Sequence, residues 1–225
     1  MENNKIKNKI ASTVEYYNKN ADYFMDETVA VNFTEIQKMF LNLLPHGGKI
    51  LDFGCGSGRD ALEFLKRGYQ VDATDGSTEM CKLATEYTGI PVRQMLFQEL
   101  SEIEKYDGIW ACASILHLPK NELKNVLDKM KTALNKSGII YTSFKYGAFE
   151  GERNGRYFTD FTEESFEKFA KQIKGLQIKK MWITGDVRVG REKEKWLNIL
   201  LRKQTIYEKL MGHMRIRWMS RDLLR

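Results

Sequence analysis

The chain has 225 residues, of which 42% are hydrophobic and 29% are charged, a balance that indicates one globular domain with a substantial core. No apolar run approaches the roughly 20 residues of a membrane span, and the polar N-terminus lacks the apolar segment of a signal peptide. The three cysteines form no close pair and the three histidines are scattered, so we expect no disulfide, no metal site and a cytoplasmic location.

The positive charge of the chain is concentrated at its C-terminus. Residues 202–225 contain seven lysines and arginines against two acidic residues, so most of the net charge of +6 lies there. The remainder of the chain is nearly neutral, and a polyanionic partner is therefore predicted only through this tail.

Aromatic residues characterise the first predicted helix. Residues 1–12 are polar and lysine-rich, and we expect them to fray. Beyond them, Tyr16, Tyr17, Tyr23 and Phe24 supply aromatic surface. This helix either packs on the edge of the sheet or covers a ligand as a lid, and in the second case Tyr17 and Tyr23 are candidate substrate contacts.

An amphipathic helix over 32–44 leads into the stretch KILDFGCGSGRD at 49–60, around which the chain is organised. An apolar run meets three glycines at alternate positions and continues into apolar residues at helical spacing, which predicts a strand, a tight loop and a helix start. Such a loop exposes backbone N–H groups and lets a ligand approach the main chain closely. It contributes the candidate cofactor contacts Asp52, Gly54, Cys55, Gly56 and Gly58.

A second acidic residue stands at the end of the next predicted strand. Asp75 follows the glycines by about 20 residues, the spacing at which a βαβ unit places a carboxylate on a ribose. Gly56, Gly58 and Ala61 also satisfy the dinucleotide fingerprint, so NAD is an alternative ligand. Asp52 opposes NAD because a carboxylate repels a pyrophosphate, whereas S-adenosylmethionine places a sulfonium and an α-amino group in that region.

Strands and helices alternate through the remainder of the chain. Later strands are predicted over 90–95, 107–113, 139–144, 176–184 and 195–201, and later helices over 77–87, 120–134 and 163–173. The predicted fold is α/β, a Rossmann-like, doubly wound sheet of seven mostly parallel strands with an antiparallel final strand.

Two motifs resemble a known family. ILDFGCGSGRD followed by VDATDGS resembles motifs I and II of the class I S-adenosylmethionine-dependent methyltransferases (EC 2.1.1.-). YDGIWACASILHLP, SFKYG, GRYFTDFTEESF and WLNILLRK are similar to the small methyltransferases of the tellurite-resistance and thiopurine type. The resemblance covers about residues 16–203. It implies S-adenosyl-L-methionine as cofactor, S-adenosyl-L-homocysteine as product, no metal, and methyl transfer to an O, N or S atom.

The resemblance also implies a division of the chain. Residues 1–203 are expected to form the methyltransferase domain, with an N-terminal helical lid over 1–45 and a Rossmann-like core over 46–203. Residues 204–225 form a basic tail in which apolar residues recur every fourth position, which predicts a helix.

Further cofactor contacts are implied beyond the glycine loop; they are Gly76, Met80, Leu96, Phe97 and Ala113. Many relatives carry an acidic residue where Leu96 stands, and it binds the adenine amino group. In this chain Glu99 or backbone groups are expected to replace it. Ala113 ends the fourth strand, where a backbone carbonyl can accept a hydrogen bond from the cofactor's α-amino group.

Two segments are candidates for contact with the methyl acceptor. His117 follows the fourth strand at the carboxyl edge of the sheet and is either an acid/base group or a residue that orients its loop. The glycine-rich loop 145–158 is expected to select the acceptor. Its candidate contacts are Lys145, Tyr146, Arg153, Arg156, Tyr157 and Phe158. Alternatively, its arginines pair with Glu150 and Glu152.

Three functional hypotheses follow. The first is a methyltransferase for a small-molecule acceptor. The second is an RNA or protein methyltransferase that docks through the 204–225 tail. The third is a non-catalytic module that binds a nucleoside cofactor. The tail itself packs on its own domain or on a second subunit of a homodimer, or binds RNA, an acidic protein or a membrane surface.

Overall fold

A computed structural model describes residues 2–188, 190, 191 and 193–205. The segment 206–225, where the basic helix is predicted, lies outside the described residues. In the described part no helix is long and apolar enough to cross a membrane.

Helices and strands alternate along the described chain. The helices are α1 (Glu2–Lys19), α2 (Ala21–Val29), α3 (Thr34–Leu41), α4 (Arg59–Lys66), α5 (Thr78–Thr88), α6 (Lys120–Ala133) and α7 (Glu163–Ala170). The strands are β1 (Lys49–Phe53), β2 (Gln70–Asp75), β3 (Val92–Gln94), β4 (Tyr106–Ala111), β5 (Leu134–Lys145), β6 (Glu150–Arg153), β7 (Arg156–Thr159), β8 (Leu176–Gly185) and β9 (Lys195–Lys203).

Seven of these strands form one sheet in the order β3-β2-β1-β4-β5-β9-β8. The pairs β1 with β2, β2 with β3, β1 with β4 and β4 with β5 are parallel, and β9 is antiparallel to both β5 and β8. The predicted seven-stranded, mostly parallel sheet with an antiparallel final strand is therefore confirmed. The chain winds outward in both directions from β1 and β4, so a crevice opens at their carboxyl ends.

Hydrophobic residues fill both faces of the central strands because helices cover both faces. Successive residues of a strand point to opposite faces. Ile50, Trp110 and Tyr141 accordingly pack in one cluster with Phe40 of α3 and Phe64 of α4. Their neighbours Leu51, Ile109 and Ile140 pack in a second cluster with side chains of α6 and α7. This two-sided core holds the carboxyl ends of β1 and β4 rigidly in place.

Three elements differ from the sequence prediction. Helix α1 begins at Glu2, so residues 2–12 are helical rather than frayed. Strand β5 begins at Leu134, directly after α6, and an irregularity in its pairing with β4 accommodates the extra residues. The 145–158 segment contains the antiparallel hairpin β6–β7 instead of an irregular loop.

The turn of this hairpin explains its formation. Asn154 and Gly155 both have positive φ angles, 51° and 74°, as the two-residue type I′ turn requires. Asn-Gly is the strongest short-range signal for such a turn, and the sequence analysis did not use it. The hairpin lies against α1, where the Tyr157 N–H donates a hydrogen bond to the Thr13 hydroxyl at 3.1 Å.

Candidate functional site

A cavity of about 660 Å³ lies at the carboxyl ends of β1 and β4. Ligand pockets typically measure roughly 300–1,000 Å³, so the cavity is large enough for a cofactor-sized molecule. Its walls come from the glycine loop, the ends of β2 and β4, helices α1 and α2, the β6–β7 hairpin and the β8–β9 connection.

The glycine loop passes close to neighbouring structure. Gly54 has a φ of 80°, and a Cβ there would lie 2.6 Å from the Ser114 Cβ and 3.0 Å from the Phe97 ring. The N–H groups of Gly54 and Cys55 both donate to the Thr74 carbonyl at 2.9 Å, which fixes the loop on β2. A Cβ on Gly56, by contrast, would meet no atom within 4 Å, because Gly56 faces the open cavity.

Asp75 holds the same loop from the end of β2. Its carboxylate accepts hydrogen bonds from the Gly56 N–H at 3.0 Å and the Ser77 N–H at 2.9 Å. Burial raises the pKa of Asp75, and these backbone donors oppose that rise. Ser77 caps α5 by accepting from the Met80 N–H, and its hydroxyl also donates to the side chain of Asn18 in α1 at 2.7 Å.

Asp52 carries a buried carboxylate oxygen without a partner. Its side chain is 2% exposed and lines the cavity, and Oδ2 has no hydrogen-bond donor among the described residues. Burial raises the pKa of Asp52 well above its ordinary value, the Asp60 charge adds to the rise, and Arg59 opposes it. An unpaired buried carboxylate is costly, and a ligand that brings a cation or an N–H donor would remove that cost.

Arg59 and Asp60 form a buried ion pair beside Asp52 that the sequence analysis did not identify. The Asp60 carboxylate accepts from Arg59 Nη2 at 2.7 Å, Trp110 Nε1 at 2.8 Å and Gln37 Nε2 at 2.6 Å. The Arg59 guanidinium also stacks on Phe33 at 4.6 Å. Both residues directly follow the glycine loop at a helix N-terminus, and this position could have identified them as site residues from the sequence.

The segment after β3 supplies another wall of the cavity. Leu96 and Phe97 line it, as expected, and Phe97 packs on Phe53 with ring centroids 4.9 Å apart. Glu99 instead accepts from the Leu96 N–H at 2.7 Å and is not among the lining residues, so it does not take the role expected for the missing acid. Gln98 does line the cavity, and its buried Oε1 has no partner among the described residues.

His117 lies between α1 and the hairpin. Its Nδ1 is 2.6 Å from the Tyr157 carbonyl and its Nε2 is 2.8 Å from the Tyr17 hydroxyl. A carbonyl only accepts, so Nδ1 carries the proton and Nε2 accepts from Tyr17. Burial lowers the pKa of His117 to about 4, so the ring is neutral at pH 7. These two hydrogen bonds connect the ring to Tyr17 and to the hairpin, as an orienting role would require, and both roles considered from the sequence stay predictions.

The three cations predicted to face an anionic group have different surroundings. Lys145 pairs with Asp186 at 3.3 Å and also with Glu194. Arg153 pairs with Asp160 at 2.7 Å. No carboxylate of the described residues lies within 4 Å of the Arg156 guanidinium. Neither arginine pairs with Glu150, which instead pairs with Lys120 at 3.0 Å.

Most predicted site residues line the cavity together: Tyr17, Asp52, Gly54, Cys55, Gly56, Asp75, Gly76, Met80, Leu96, Phe97, Ala113, His117, Lys145, Tyr146 and Arg156. Three others lie elsewhere. Gly58 packs against Thr88 and Ala84 of α5, and Tyr23 is exposed at the surface. The Tyr157 hydroxyl points to Glu150, and Phe158 lines the cavity instead. The described residues contain no group of three side chains placed to hold a metal ion.

The fold and the site agree with the resemblance found in the sequence. The doubly wound sheet, the glycine loop after β1 and the carboxylate at the end of β2 are what similarity to the class I methyltransferases implies. Residues 50–138 match the family model described as a methyltransferase domain, a segment that makes up less than half of the chain. The resemblance to class I methyltransferases is thereby confirmed, whereas the narrower likeness to the tellurite-resistance and thiopurine type stays a prediction.

Individual proteins with similar sequences or structures include several methyltransferases. A candidate methyltransferase of Bacillus subtilis (strain 168), YqeM, is 30% identical over 114 residues, which cover 45% of this chain and 46% of that protein, so the match spans about half the length of either. The crystal structure of Burkholderia thailandensis 1,6-didemethyltoxoflavin-N1-methyltransferase, with its substrate and S-adenosylhomocysteine bound, superposes with a TM-score of 0.68 at 21% identity, over 85% of both chains. The [4+2]-cyclase SpnF superposes with a TM-score of 0.61 at 13% identity, over 76% of this chain and 80% of that one.

Proposed function

We propose that this chain is an S-adenosylmethionine-dependent methyltransferase that acts on a small-molecule acceptor. The observation that carries the proposal is the unpaired Asp52 oxygen, buried in the cavity beside the glycine loop. A dinucleotide would bring a pyrophosphate to that carboxylate, and the two negative charges would repel each other. S-adenosylmethionine would instead bring a cation. The methyltransferase-domain match over residues 50–138 supports the same cofactor.

The residues present fit this cofactor. Asp75 would hold the ribose hydroxyls, Asp52 the α-amino group, and Leu96 and Phe97 the adenine ring. Gly56 leaves the room that a ligand needs against the backbone. When bound, S-adenosylmethionine supplies a methyl group on a sulfonium, and its transfer forms the acceptor–methyl bond, breaks the sulfur–methyl bond and leaves a neutral thioether. The protein's own contribution is to orient the acceptor and exclude water.

Helices α1 and α2 serve in this proposal as the lid over the site, as the resemblance implied. Five hydrogen bonds among the described residues tie them to the core, and they involve Thr13, Tyr17, Thr28 and, twice, Asn18. The lid reaches the cofactor end through Ser77 and Ser57 and the hairpin through Tyr157. Closure of a segment with such contacts at both ends would enclose cofactor and acceptor together.

A small-molecule acceptor is favoured because the cavity is enclosed by short elements of this one domain and its size suits a cofactor with a small partner. The unpaired state of all three cysteines agrees with a cytoplasmic location. Docking of RNA or an acidic protein, or dimer formation, would involve the 204–225 tail. Deletion of residues 206–225 separates these cases: loss of activity on a macromolecule with cofactor binding intact supports docking, and unchanged activity contradicts it.

Calorimetric titration tests the cofactor assignment. We expect S-adenosylmethionine and S-adenosylhomocysteine to bind and NAD not to bind. Asp75→Ala should abolish binding of both nucleosides, whereas Asp72→Ala is a matched control, since Asp72 lies on the same strand but pairs with Lys49 and Lys105 outside the cavity. Binding of NAD alone would overturn the proposal. Turnover of labelled methyl donor with a panel of acceptors then distinguishes an enzyme from a non-catalytic binding module.

A further inference from the structure

Arg156 has an environment that differs from those of the other cations in the cavity. It begins β7, and its guanidinium lies over the ring of Tyr16 at 4.4 Å, with Phe158 at 5.1 Å, Phe24 at 5.6 Å and Tyr17 at 5.8 Å. Its Nε is buried and has no hydrogen-bond partner among the described residues. Aromatic faces attract a cation but offer no acceptor in the plane of the guanidinium, so the buried Nε–H donor stays available to a ligand.

Three neighbouring cations of the cavity are already neutralised by carboxylates. Arg153 pairs with Asp160 at 2.7 Å, and Arg188 pairs with Asp186 at 2.6 Å. Lys145 shares Asp186 with Arg188 at 3.3 Å. Arg156, Lys193 and Lys195 lack such a partner within 4 Å among the described residues, but the two lysines are exposed. The half-buried Arg156 is therefore the cation best placed to bind an anion from outside the protein.

The charge of the cavity wall is divided along the chain. Lining residues up to 118 include three carboxylates and one cation, whereas those from 143 onward include seven lysines and arginines against three carboxylates among the described residues. The first part contains the glycine loop and suits a cationic cofactor. The second part contains the hairpin and suits an anionic acceptor.

The walls around Arg156 also restrict the shape of an acceptor. Tyr17, Phe24 and Phe158 line the cavity beside the guanidinium, and the neutral His117 ring packs on Phe158 at 4.8 Å and on Tyr17 at 5.6 Å. Aromatic side chains favour stacked or edge-on contact with a flat ring. A planar molecule would therefore bury its faces here while its charged group meets Arg156.

We propose that Arg156 binds the anionic group of a planar aromatic or heteroaromatic acceptor, and so selects acidic acceptors over their neutral analogues. The planar guanidinium can donate two parallel hydrogen bonds to a carboxylate or to an equivalent pair of acceptor atoms on an acidic ring. This inference rests on the proposed methyltransferase function and specifies its acceptor class.

Binding to the full-length protein saturated with S-adenosylhomocysteine tests the inference. The probes are 2-naphthoate, its neutral analogue 2-naphthamide, and acetate as an anion without a ring. We expect 2-naphthoate to bind at least tenfold more tightly than either of the other two. Equal binding of the naphthoate and the naphthamide, or no binding of the naphthoate, would overturn the assignment.

Two variants of Arg156 and a matched control test whether this residue causes the preference for 2-naphthoate. Arg156→Gln should weaken 2-naphthoate binding at least tenfold and leave 2-naphthamide binding within about twofold, whereas Arg156→Lys should keep part of the preference. Arg93→Gln also removes one positive charge, but Arg93 lies outside the cavity and pairs with Glu102, so it should behave as wild type. Circular dichroism and the melting temperature establish that each variant is folded.

Binding of S-adenosylhomocysteine distinguishes a failure of the acceptor assignment from a failure of the proposed methyltransferase function. We expect Arg156→Gln to change that affinity by less than about twofold. An equal loss for S-adenosylhomocysteine and 2-naphthoate would place Arg156 on the cofactor and overturn its role toward the acceptor. Failure of wild-type protein to bind S-adenosylhomocysteine would contradict the proposed function itself, and the acceptor assignment with it.

Discussion

The Tyr17 hydroxyl lies 2.8 Å from Nε2 of His117, although 100 residues separate the two along the chain. This hydrogen bond connects α1 to the segment after β4, and the other nitrogen of the ring binds the Tyr157 carbonyl in β7 at 2.6 Å. One buried imidazole therefore holds three elements together at the mouth of the cavity. Its neutral state and both of its hydrogen bonds are consistent with an organising role for His117.

Removal of the Tyr17 hydroxyl should weaken the contact of the lid with the core. Tyr17→Phe leaves His117 Nε2 without a donor in a buried position, which is expected to cost about 1–3 kcal/mol of stability. It should also accelerate release of S-adenosylhomocysteine, because the lid opens more readily. Urea unfolding and stopped-flow release measure the two effects. Tyr23→Phe is the control, since Tyr23 is 56% exposed, and equal behaviour of both variants would contradict the lid contact.

Acid should destabilise the wild-type protein in part through His117. Its pKa is about 4 in the folded protein and ordinarily 6.5, so the unfolded chain takes up a proton first as the pH falls. This contribution to stability is fully present above pH 6.5 and is lost as the pH approaches 4, by ~3 kcal/mol. His117→Gln should show a shallower decrease in the free energy of unfolding over that interval. Parallel curves for the two proteins would show that His117 titrates normally.

Binding of a cationic ligand should release protons from Asp52. Burial and the Asp60 charge raise its pKa, Asp75 adds to the rise, and Arg59 and the Ala61 N–H oppose it. A ligand cation beside the carboxylate reverses this effect, so S-adenosylmethionine binding should release protons wherever the free side chain is still protonated. Calorimetry in buffers of different ionisation enthalpy measures the number of protons released. Asp52→Asn should release fewer protons, and an unchanged number would place the cation elsewhere.

Two alanine substitutions in the glycine loop should have different effects. Gly54→Ala would force a Cβ to within 2.6 Å of Ser114, so it should lower the melting temperature and distort the loop. Gly56→Ala meets no protein atom within 4 Å, so it should cost only about 1–2 kcal/mol for the positive φ while obstructing the cofactor. Thermal unfolding and S-adenosylhomocysteine titration compare them. Normal cofactor binding by Gly56→Ala would contradict the placement of the ligand against this backbone.

Local patterns were sufficient to predict much of the fold and the cofactor end of the site. The strand, glycine loop and helix around residues 49–66 follow from apolar spacing and from glycines at positive φ. The caps at Ser77 and Thr162 were recognisable because a cap acts within three residues. The β6–β7 hairpin was also a local feature, and it was missed because the Asn-Gly signal at residues 154 and 155 was overlooked.

The sequence by itself determined the order of elements, the glycine loop and the spacing that brings Asp75 to it, because each depends on residues close together in the chain. Only the tertiary structure decided which charges are neutralised. Lys145 meets Asp186 from 41 positions away, while Arg156 Nε and Asp52 Oδ2 have no hydrogen-bond partner among the described residues. The pairing and burial of charged side chains depend on how distant segments of the chain pack together. They therefore cannot be deduced from the residues adjacent in the sequence.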